Sequence, residues 1–94
     1  MVETIDLYEA IRQMRKLTQQ GQSFSFSHAT YNRDRQSSDG IRIVRKAILR
    51  PAAKGDDVAN ADYKLFYLDQ EINQNRVCWQ SLLMYFEGKK VILN

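Results

Sequence analysis

The sequence is most informative at first through what it lacks. It has one cysteine, one proline, one histidine and one tryptophan in 94 residues. A single thiol, Cys78, excludes an internal disulfide and agrees with a reducing compartment. One histidine and one cysteine fall short of the three or four ligands a zinc site needs. The four glycines, Gly21, Gly40, Gly55 and Gly88, stand far apart at turn positions, so no glycine-rich phosphate loop exists. GxSxG and HExxH are absent as well. No apolar run approaches the ~20 residues of a membrane-spanning helix. The opening MVETIDLYEAIRQMRK is acidic and then amphipathic, which is not the pattern of a signal peptide, so the expected compartment is the cytoplasm.

What is present describes an ordinary small domain. Apolar residues make up 44% and charged residues 27%, and the length fits one domain over 1–94. The net charge is +3, and it is unevenly placed. Arg33 to Lys54 holds seven bases and two acids, leaving the rest of the chain at −2. Such asymmetry points to an acidic partner without identifying one.

Hydrophobic periodicity divides the chain. Leu7, Ala10, Ile11, Met14 and Leu17 recur at helical steps, predicting a helix over ~6–20. Asp6 with Glu9 forms a capping-box variant, with Thr4 as a rival cap, and Gly21 is placed to stop the helix. Residues 23–31 alternate, with Phe24, Phe26 and His28 on one face of a strand. A polar loop, Asn32 to Gly40, follows. In 41–50 the alternation is interrupted. The β-branched residues favour a strand over a helix, and a bulge near Val44–Arg45 restores the pattern. Further strands are expected at 61–69, at 76–86 with a break near Gln80–Ser81, and at 90–93. The predicted fold is α+β: an N-terminal helix packed on one face of a four- to five-stranded antiparallel meander.

Few residues invite chemistry. His28 is a candidate base or ligand, but its place beside Phe24 and Phe26 also fits a core-edge histidine with a satisfied hydrogen bond. Cys78 is a nucleophile only if His28 lies beside it, and Val77 and Trp79 favour a packed thiol. Asp56, Asp57 and Asp62 lack the spacing of a calcium loop and read as a solvated turn. The ten aromatic residues supply core volume, or platforms on which single-stranded bases could stack. No catalytic residue, metal or cofactor is expected.

The basic segment is the remaining candidate. As an extended hairpin, residues 31–54 project Arg33 and Arg35 at the tip and Arg42, Lys46 and Arg50 along one side. These five residues are the candidate contacts for phosphates or an acidic partner. Bases on a strand edge also block unwanted pairing.

Three stretches carry a resemblance: FSFSHATYNRDRQSSDGIRIVRKAILRP (24–51), ADYKLFYLD (61–69) and CWQSLLMYFEGKKVILN (78–94). Together they make the chain similar to small prophage and mobile-element proteins of Bacteroides-type bacteria. That family has no established activity, so no site residues carry over. The resemblance implies a role in particle assembly, as a connector or as an accessory factor. The expected function is a non-enzymatic interaction or assembly protein working through protein–protein contacts, including a homodimer by strand pairing. The alternative is a nucleic-acid-binding module using the basic hairpin.

Overall fold

The chain begins with a three-residue strand, β1 (Thr4–Asp6), which leads straight into α1 (Leu7–Gln19). The Asp6 carboxylate ends the strand and caps the helix, accepting from the Tyr8 and Glu9 amides at 3.1 and 3.3 Å. Gly21, at φ +73°, closes the other end. The Gly21 amide reaches the Thr18 carbonyl and the Gln22 amide the Leu17 carbonyl, the paired bonds of a left-handed helix stop. Both ends therefore form as their residue types require.

The computed structural model describes residues 3–32, 37–52 and 59–93. After α1 come β2 (Phe24–Asn32), β3 (Ser37–Leu49), a 3-10 turn (Ala61–Tyr63), β4 (Lys64–Asp69) and β5 (Gln74–Trp79). A second 3-10 turn (Gln80–Leu82) precedes β6 (Leu83–Phe86) and β7 (Lys89–Ile92). Among the described residues there are seven strands in one sheet, ordered β1-β7-β6-β2-β3-β4-β5. All neighbours are antiparallel except β1 and β7, which run parallel.

The fold is α+β as expected, and the sheet differs from the expected meander in three respects. The count is seven rather than four or five, because β1 was too short to show alternation and 76–86 divides at Gln80–Leu82. The sheet is mixed, because β1 feeds the helix and then lies beside β7. After β5 the chain returns to the opposite side of β2 instead of continuing outward. The run at 61–69 opens with a 3-10 turn before strand geometry starts at Lys64. Part of the polar stretch before Ile41 is strand, since β3 starts at Ser37.

The bulge in β3 is present. Phe24 pairs with Ala47 and Phe26 with Val44, so three steps on β3 match two on β2. The extra residue turns both Val44 and Ala47 inward, and both are fully buried. One apolar core joins Leu7, Ala10, Ile11 and Met14 of the helix to Phe24, Phe26, Val44, Tyr67 and Phe86 of the sheet.

The sheet is strongly curled. On a flat sheet the strands β5 and β6 would stand four strand spacings apart, ~19 Å. Three residues in a 3-10 turn join them, and such a link spans only ~8 Å. The strands must therefore bend round until β5 approaches β6 and β2. The inside of this curl holds the core and, beyond the helix, a cleft.

A cationic cleft inside the curled sheet

The cleft is built from residues on four strands and the turn after β5. His28 continues the inward row of Phe24 and Phe26 on β2. Arg42 is its partner across β3, and Tyr67 and Arg76 face each other across β4 and β5. Cys78, Leu82 and Trp79 at the end of β5 also line it, together with Ala29, Thr30, Asn75 and Val77. The free volume is about 440 Å³, and no residue of α1 lines it.

Curling brings distant residues into contact. Arg42 and Leu49 mark the levels of His28 and Tyr67 on β3, so a flat sheet would separate those levels by ~20 Å. Instead His28 Nε2 and Tyr67 Oη lie 3.0 Å apart. The Phe26 and Tyr67 rings also meet edge to face at 5.0 Å.

The hydrogen bonds fix the state of His28. Its Nδ1 lies 3.1 Å from the Ala29 carbonyl, which can only accept. Nδ1 therefore carries the proton, and Nε2 accepts from the Tyr67 hydroxyl. The ring is 4% exposed. Burial lowers its pKa from the ordinary value; the Ala29 bond opposes this, and the Arg42 and Arg76 charges reinforce it. The Tyr67 hydroxyl is pushed up to about 12, chiefly by burial. The histidine is thus a satisfied, neutral, buried side chain.

Cys78 shares the cleft, but no hydrogen bond links it to His28 among the described residues. Burial pushes its thiol up to about 12. A thiol held in that state is a poor nucleophile near neutral pH. Among the described residues, no three His, Cys or carboxylate side chains gather closely enough to hold a metal ion.

The two arginines are different. Among the described residues, no carboxylate lines the cleft. Arg42 is half-buried and makes no ion pair among the described residues. Arg76 donates to the Gln74 side-chain oxygen at 2.9 Å, a neutral acceptor, while its Nε is buried without a partner. A buried donor left unpaired costs about 1–3 kcal/mol.

The bases proposed from sequence do not share one side of a ribbon. The bulge changes the phase of β3, so Arg42 faces the cleft. Arg50 crosses β4 and β5, donating to the Tyr67 and Arg76 carbonyls at 3.1 and 3.2 Å, with its guanidinium 5.8 Å from the centre of the Phe66 ring. Lys46 is exposed. Arg33 and Arg35 lie outside the described residues, as do Lys54, Asp56 and Asp57. Arg76 was missed because its stretch, NQNRVCW, has no charge cluster to mark it; only the pairing of β4 with β5 sets it beside Tyr67.

The outer face of the sheet carries exposed apolar residues among polar ones. Ser27 pairs with Ile43 on one side and Tyr85 on the other, which sets these two residues level on the strands that flank β2. Ile43 is 72% exposed, Ile41 58% and Tyr85 41%. Along the same strand, β3 pairs with β4 only at Ala47 to Leu49, so its earlier residues leave one edge outside the ladder among the described residues. Lys64 stands over the Trp79 ring at 5.0 Å.

No family model, curated protein or solved structure matches this chain.

Proposed function

We propose that the protein is a non-enzymatic interaction module whose outer sheet face and open β3 edge take a protein strand, in the first instance that of a second copy. The observation that carries this reading is the pair of exposed apolar residues Ile41 and Ile43 on β3 itself, with Tyr85 level with Ile43 across β2 on the same face. A strand added there gains backbone hydrogen bonds and covers apolar side chains together. Exposed apolar groups clustered on one face mark association surfaces more often than isolated ones do. The resemblance to prophage proteins supplies the context, assembly or accessory binding inside a bacterial cytoplasm, as an analogy only.

The test is an Ile43→Asp variant. Ile43 is mostly solvent-exposed, so folding stability should change little, while self-association measured by light scattering should be lost. Unchanged association in the variant would defeat the reading.

A second reading is nucleic-acid binding. It is favoured by Arg45 and Lys46, both exposed on β3, and by the Lys64–Trp79 pair. Arg42 and Arg50 would contribute less, given their places in the cleft and across the sheet. Fluorescence anisotropy with labelled DNA and RNA at ~50 and ~200 mM salt distinguishes it, because several phosphate contacts would weaken binding by orders of magnitude between the two. Absence of binding at the lower salt would remove this reading.

A further inference from the structure

We propose that the cleft inside the curled sheet binds a small organic oxyanion, its charged head between Arg42 and Arg76 and its apolar body against Leu82 and Trp79. This site is separate from the outer face.

Three observations support it. Two arginines line one cleft in which no carboxylate stands among the described residues. Asp69 is felt at Tyr67 but does not line the cleft, and its carboxylate accepts from the Glu71 amide. Neither cation is neutralised in place: Arg42 has no ion pair among the described residues, and Arg76 meets only a neutral oxygen. Arg76 Nε is also a buried donor without an acceptor, and a modest turn of the side chain toward an oxyanion would give it one.

The chemistry of the lining narrows the ligand. His28 and Tyr67 satisfy each other, so the charged donors of the lining are the two arginines, with the neutral Thr30 and Asn75 beside them. Guanidinium presents paired N–H groups that match the oxygens of a carboxylate or phosphate. Leu82, Val77 and Trp79 supply apolar surface for a small hydrocarbon or aromatic group. A free volume of about 440 Å³ falls in the range of small-molecule pockets. Two positive charges suit a phosphomonoester dianion better than a monoanion.

Trp79 is the only tryptophan and lines the cleft, so its fluorescence reports occupancy directly. The full chain is titrated with phenyl phosphate, benzoate, inorganic phosphate and the neutral benzyl alcohol, with amide chemical shifts followed in parallel. Phenyl phosphate should give a saturable change with Kd of about 1 mM or tighter. Benzoate should bind more weakly, inorganic phosphate more weakly still, and benzyl alcohol not at all. Tighter binding of benzoate would uphold the oxyanion site and assign the head as a carboxylate. Arg42→Gln and Arg76→Gln should each weaken binding at least tenfold, while Lys16→Gln on the helix should leave it unchanged. No saturable response to either anion, by fluorescence or chemical shift, would overturn the proposal. So would equal affinity for benzyl alcohol, or full affinity in a folded Arg42→Gln variant.

Discussion

His28 and Tyr67 meet in a buried hydrogen bond of 3.0 Å that joins β2 to β4, two strands that are not neighbours. Tyr67→Phe removes the hydroxyl and leaves His28 Nε2 buried without a donor. The expected loss is about 1–3 kcal/mol of folding stability, read by urea unfolding. An unchanged midpoint would mean the two rings are held by packing alone.

The same histidine should make stability fall in mild acid. Its folded-state pKa lies below the ordinary 6.5, chiefly through burial, so the unfolded chain binds the proton more readily. The stabilisation from neutral His28 is complete above the unfolded value and declines as pH falls below it toward the lowered folded pKa. Melting temperatures recorded downward from neutral pH, before carboxylates titrate, should drop in the wild type. They should drop less in His28→Gln. Parallel curves for the two proteins would contradict this assignment.

Arg50 should behave as a clamp across β4 and β5. Its bonds to the Tyr67 and Arg76 carbonyls need the fork of a guanidinium. Arg50→Lys should therefore destabilise nearly as much as Arg50→Ala, by about 1–3 kcal/mol. A lysine that restores wild-type stability would show that charge alone matters.

Asp6 is the joint between β1 and α1. Asp6→Ala should cost about 1 kcal/mol, and Asp6→Asn much less, because the amide oxygen still accepts from the first turn. In a domain of this size that loss lowers the melting temperature by roughly 4–8 °C. Equal melting of the alanine and asparagine variants would show that the cap bond contributes little.

The helix and most strands were legible in the sequence because their signals are local. Asp6, Gly21 and the helical apolar spacing place α1, and the broken alternation at Val44–Arg45 places the β3 bulge. What escaped was set by long-range pairing. Three residues of β1 carry no period, and only the chain's return to β7 makes them a strand. The fate of the basic segment also depended on tertiary position. The bulge sends Arg42 inward, and the β4–β5 hairpin offers carbonyls to Arg50. The cleft could not be read at all, because His28, Arg42, Tyr67 and Arg76 come from four strands that meet only when the sheet curls.

An outer face that associates must show itself in the mass of the protein in solution. The most direct measurement is sedimentation equilibrium of the wild-type chain over a wide concentration range. The account predicts a reversible monomer–dimer equilibrium that the Ile43→Asp variant lacks. A strict monomer at every concentration, with no protein partner retained on the immobilised domain, would contradict it.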